Sequence, residues 1–169
     1  MPKRTSYAVH AGQLEGAKLK IAAVHNDGLK ESVTLVNQGR VAQPMAGWVL
    51  ASLRGQVFYS FPDDLTLPRE MSIVIHSGQQ EPKNTAVSTD FFWTTDQIWN
   101  NRGDIAILFD ANGLEIDRHS YPHERVMGSS GNRRKVLIRN NDGFEITDEA
   151  PRRAKKVPRE QSNALTGQP

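Results

Sequence analysis

Short alternating segments, punctuated by turn residues, dominate residues 17–119 and leave little choice of fold. In an extended strand successive side chains point to opposite faces, so a period of two marks a segment with one buried face. Residues 17–24 place Leu19, Ile21 and Ala23 together. Residues 31–37 point Val33, Leu35 and Asn37 one way, and Thr34 and Val36 the other. Further segments lie at 47–52, aligning Trp48 with Leu50, at 56–61, and at 71–76, aligning Ile73 with Ile75. The strongest is 104–109, which aligns Ile105, Ile107 and Phe109; residues 114–119 return as its partner. Turn signals separate them at 26–28, at 37–39 and at 110–113, where Asn112 and Gly113 tolerate positive φ. Pro62 and Pro68 bracket a surface loop, and residues 77–89 form a long polar loop. No segment carries a 3.6-residue apolar period over three turns, and no internal repeat is present. The expected fold is all-β, a sandwich or barrel.

Trp48, Ile73, Ile105 and Ile107 are the residues expected in the structural core. Trp48 leads because burying one indole removes roughly 150–250 Å² from water. Trp99 stands apart, followed by Asn100 and Asn101 in a corner before the strongest strand. Asparagines at a corner usually bond backbone groups locally, which makes Trp99 the partly buried centre of a packed corner. The alternative is an exposed aromatic flanked by amides, so Trp99, Asn100 and Asn101 form a candidate interaction corner.

Residue types that carry catalysis are absent or scattered. With no cysteine there is no disulfide framework, thiolate metal site or cysteine nucleophile. Of the five histidines only His119 and His123 are close in sequence, and a shared metal would lack a third ligand. Asp63 and Asp64 read as exposed turn residues, not as part of the six to eight oxygen ligands of a calcium site. No nucleophile elbow, phosphate-cradling loop or zinc-protease motif occurs. Arg102, Gly103 and Asp104 spell a tripeptide of adhesion ligands but open a strand here. No enzyme activity, cofactor or metal is expected.

Charge divides the chain. Residues 1–125 hold 12 Lys and Arg against 14 Asp and Glu, whereas 126–169 hold 9 against 5. The expected organisation is a flexible leader at 1–14, a sandwich domain at 15–125, and a basic, mostly disordered tail at 126–169. Within the tail, residues 135–147 could form a hairpin, which would have to dock to be stable. Arg133, Arg134, Lys135, Arg139, Arg152, Arg153, Lys155 and Lys156 make the tail a candidate handle for nucleic acid. Charged tails are usually just solvated. No run approaches the roughly 20 apolar residues of a membrane span, and residues 1–25 contain no signal-like apolar run. A cytoplasmic location is expected.

The motifs together resemble the lamin tail domain, particularly its prokaryotic versions. The resemblance runs from Leu19 through Glu31–Asn37, then Gly47 and Trp48, Phe58 to Pro62, Pro68 before Ile73, and Trp99 to Asp104. It closes with the 110–113 turn, Ile116, Asp117 and Tyr121. It implies an immunoglobulin-like β-sandwich that serves as an interaction module. One departure is Arg69 and Glu70, where the family usually has a glycine after the proline. Residues 1–14 carry no heptads and the sequence holds no prenylation box, so coiled-coil filament assembly is not expected. The expected function is non-enzymatic binding of a protein partner through a sandwich surface. The alternative is weak, sequence-independent binding of DNA or RNA through the basic tail.

Overall fold

Twelve strands, and no helix among the described residues, build the chain. The computed structural model describes residues 11–79, 89–121 and 133–150. One sheet has the order β1-β2-β7-β8, from β1 (Leu19–Asn26), β2 (Lys30–Asn37), β7 (Ser72–Gly78) and β8 (Asp90–Thr94). The facing sheet has the order β10-β9-β4-β5, from β10 (Glu115–Tyr121), β9 (Asp104–Phe109), β4 (Val49–Ser52) and β5 (Val57–Ser60). A short ladder joins β3 (Gln43–Pro44) to β6 (Thr66–Leu67), and β11 (Lys135–Asn140) pairs with β12 (Gly143–Asp148) as a hairpin. All pairs are antiparallel except β7 with β8. The fold is an all-β, immunoglobulin-like sandwich.

The alternating pattern sets the layer between the sheets. Leu19 and Ile21 of β1, Val33 and Leu35 of β2, and Ile73 and Ile75 of β7 meet Leu50, Ala106 and Leu108 of the other sheet. Trp48, just before β4, is fully buried among them, and its indole N–H donates to the Ala11 carbonyl at 2.7 Å. Phe91 and Trp93 of β8 pack against the same layer. This strand escapes the sequence pattern because Phe91, Phe92 and Trp93 run together without polar alternation.

The two flanks of the sandwich are closed by different chemistry. At the β1/β10 flank, Asp117 accepts from the Lys20 ammonium at 3.0 Å and from the Ile21 backbone N–H at 2.8 Å, which occupies a group that an edge strand would otherwise present. At the β5/β8 flank, Tyr59 lies 5.6 Å from Trp93, and Trp93 lies 6.1 Å from Trp99, centroid to centroid. Burial pushes the Tyr59 hydroxyl up to about 12.

Ile105 and Ile107 are buried, in a layer that the alternation of β9 does not single out. Together with Phe109, Val49 and Ala51 they line the outer face of the second sheet. The reason is that all six residues of β9 are buried, so alternation cannot say which face looks inward. The hairpin covers that outer face: Leu137 is buried in the cluster, and Phe144 and Ile146 pack on it. The Phe58 and Phe144 rings pack at a tilt of 46°, with centroids 5.4 Å apart. Leu137 N–H donates to the Gly113 carbonyl at 2.9 Å, and Leu114 bridges Val136. Gly113 has φ 78°, and a Cβ there would lie 2.2 Å from the Leu137 carbonyl oxygen, so only glycine seats the hairpin. Part of the segment expected as tail thus belongs to the packed fold; residues 126–132 and 151–169 lie outside the described residues.

Glu70 takes φ 60° at the turn where the sequence departs from its expected glycine. Its N–H donates to the Asn37 carbonyl at 2.7 Å, which holds the turn in that conformation.

Candidate functional site

Glu31, at the start of β2, shares the inward face with Val33 and Leu35, so its carboxylate is carried into the sandwich and must find donors. Ser77 Oγ donates to it at 2.7 Å, Ile98 N–H at 2.7 Å and Trp99 N–H at 3.1 Å. The corner expected from the sequence is therefore fastened to the first sheet through its backbone. Asp104, buried at the start of β9, does the same for the turn after β4. It accepts from Ser52 Oγ at 2.6 Å, Arg54 N–H at 3.0 Å and Ile105 N–H at 2.7 Å. Ser52 Oγ in turn receives Gly55 N–H at 2.9 Å.

Between these two fastened segments lies an open cleft of about 480 Å³, lined by Arg54, Gly55, Ile98, Asn100, Asn101 and Arg102 among others. The Arg54 guanidinium reaches the Gly103 carbonyl at 3.1 Å across the cleft. A second cleft of about 620 Å³ adjoins it, lined by His25, Asp27, Tyr121 and again Asn101. Asn26 ties the two together, donating to the Trp99 carbonyl at 2.8 Å and to Asn101 Oδ1 at 2.9 Å. Backbone N–H groups of Lys30 and Leu29 hold the Asp27 carboxyl below the usual range. Burial, with Asp104 nearby, pushes the Tyr121 hydroxyl upward, so it stays a donor, to the Asn100 carbonyl at 3.3 Å.

The sequence candidates separate under this geometry. Trp99 is only 2% exposed, more deeply set than a partly buried corner, and cannot present its ring. Asn100 and Asn101 are exposed, as are Arg54 and Arg102, which the sequence reading did not select. Glu31 was also missed; the signal was its parity with Val33, Leu35 and Asn37, which puts a carboxylate on a face that must be dry. Arg133, Arg134 and Arg139 are exposed, with Arg139 set 5.1 Å over the Phe144 ring. Lys135 is buried and its ammonium pairs with Asp148, so it contributes no cation to a surface. Arg152, Arg153, Lys155 and Lys156 lie outside the described residues. Among the described residues no group of three or more His, Asp or Glu could hold a metal, and no helix is long and apolar enough to cross a membrane.

Comparison with known families turns on this same stretch. The model of the lamin tail domain matches residues 13–123, from the segment under Trp48 to the end of β10. The chain belongs to the lamin tail domain family. Lamin tail domains are immunoglobulin-like modules that often mediate protein interaction. A search of curated proteins finds no match. The hairpin at 135–148 lies beyond the matched residues, although the face that it covers lies within them.

Proposed function

We propose that this lamin tail domain is a non-enzymatic interaction module that binds a protein partner at the end of the sandwich holding the 97–102 corner and the 52–55 turn. One observation carries the reading. The exposed polar groups there sit on backbone fastened by the buried carboxylates of Glu31 and Asp104, so the surface is ordered before a partner arrives. Preorganisation of this kind lowers the entropy cost of association. The serines that do donate to carboxylates, Ser77 and Ser52, are themselves buried and out of reach of a substrate. That geometry favours binding over nucleophilic chemistry.

Site-specific photo-crosslinking tests the reading. A crosslinking side chain at Asn101 is expected to capture a protein that the same group at exposed Arg40 does not, with capture surviving nuclease treatment. Equal capture from both positions, or loss of capture on nuclease treatment, would overturn it.

A further inference from the structure

We propose that the cleft between Arg54 and the 100–102 corner receives the carboxylates of a short acidic segment of the partner, an inference that rests on the partner being a protein. The hydrogen-bond directions at the corner argue for it. Asn100 Oδ1 accepts from the Arg102 backbone N–H at 2.8 Å, which engages that oxygen with the turn and leaves its Nδ2 to donate. Asn26 Oδ1 accepts from Gly28 N–H at 2.9 Å, so Asn26 must donate through Nδ2, and Asn101 must receive that bond on its oxygen. Both corner amides therefore turn their acceptors to the protein and keep their donors for a ligand.

The remaining groups have the same sense. The Arg54 guanidinium spends one nitrogen on the Gly103 carbonyl, and Arg102 pairs with no carboxylate among the described residues. Among the described residues no acidic side chain lines the cleft. The two buried carboxylates beside it have their oxygens taken from within, Asp104 by Ser52, Arg54 and Ile105 and Glu31 by Ser77, Ile98 and Trp99. A concave surface with two guanidinium groups, two amide donors and no acidic side chain among the described residues fits a ligand made of acceptors with negative charge. Planar, forked guanidinium groups match carboxylates in particular.

A nucleic-acid strand is disfavoured on two grounds. Non-specific binding to a strand needs a basic track and exposed aromatic faces for stacking, whereas this cleft has two cations and its Trp99 ring is buried. The adjoining cleft carries the Asp27 carboxylate, which would repel a polyanion continuing past Asn101.

The test titrates the full chain into three fluorescent probes: a short Asp/Glu-rich peptide, its Asn/Gln counterpart, and a single-stranded oligonucleotide of equal charge. Only the acidic peptide is expected to bind, with weakening as salt rises and with the Asn100 and Asn101 side-chain amide NMR signals shifting. Arg54→Gln and Arg102→Gln should each weaken binding about tenfold, while Arg40→Gln changes nothing. Both sites are exposed, and unchanged thermal midpoints will show that the fold is intact. Acidic-peptide binding indifferent to both substitutions overturns the inference. So does tighter binding of the oligonucleotide through the same arginines. If no acidic peptide binds yet capture from Asn101 persists, this inference fails and the interaction reading stands; if capture fails as well, both fall.

Discussion

The two faces of the β10-β9-β4-β5 sheet are buried by different means. Its inner face meets another sheet, and the shared layer contains bulky, fully buried side chains such as Trp48 and Leu50. Its outer face is as apolar, with Val49, Ala51, Ile107 and Phe109 all at 0% exposure, but the cover is a two-stranded hairpin. A sheet is held by many neighbours, whereas a lone hairpin is marginal in water. The same strand, β9, thus serves a core that is cooperative with the whole domain and a second core whose lid depends on a few contacts. Burial alone does not reveal that difference.

The comparison should break most visibly at Trp48. Trp48→Ala removes the largest fully buried side chain of the inner layer and should cost about 3–5 kcal/mol in chemical denaturation. A smaller loss would mean that the inner layer is not the dominant core. Under the lid, Leu137→Ala should cost about 2 kcal/mol, because a lid that detaches limits what can be lost. Adding Phe144→Ala should then cost less than it does alone, a non-additivity that a double-mutant cycle detects. Additive losses would show that the hairpin is as integral as the inner sheet.

A finer probe is Gly113→Ala, which forces a left-handed residue and presses on the Leu137 carbonyl. It should cost about 1–2 kcal/mol and speed hydrogen exchange at the Leu137 amide, with the β2 amides unaffected. Protection retained at Leu137 would argue against Gly113 as the seat of the lid. The smallest effect concerns pH. The Lys135 ammonium holds the Asp148 carboxyl below its ordinary 3.8. A depressed carboxyl stabilises the folded state above the unfolded value and loses that effect as pH falls through the folded value. The hairpin should therefore loosen first below about pH 3.8, by exchange or NMR, and Asp148→Asn should abolish that step.

Much of the frame was legible because its physics is local. Alternation in 31–37 and 71–76 set which residues of β2 and β7 look inward, and the Asn–Gly turn at 112–113 placed the β9–β10 hairpin. Alternation failed to discriminate where both faces are buried, as in β9: it grouped Ile105 with Ile107 and Phe109 without saying which side of the sheet they line. It also failed in β8, where consecutive aromatics hide the strand. The corner was visible in Trp99, Asn100 and Asn101, but not the depth of Trp99, which depends on Trp93 and on the Glu31 carboxylate from distant strands. Arg54 joins the site only because β4 and β9 pair, a contact across about fifty residues of sequence.

Placing the lid after the sandwich in the chain has a consequence for biosynthesis. Once β10 has been made, every strand of the sandwich exists, yet β12 ends 27 residues later. At about 5–20 residues per second, the nascent domain spends roughly one to five seconds with Val49, Ile105, Ile107 and Phe109 uncovered. During that interval an apolar sheet face is open to neighbouring nascent chains. The hairpin closes it from the same polypeptide, at an effective concentration that no free competitor matches.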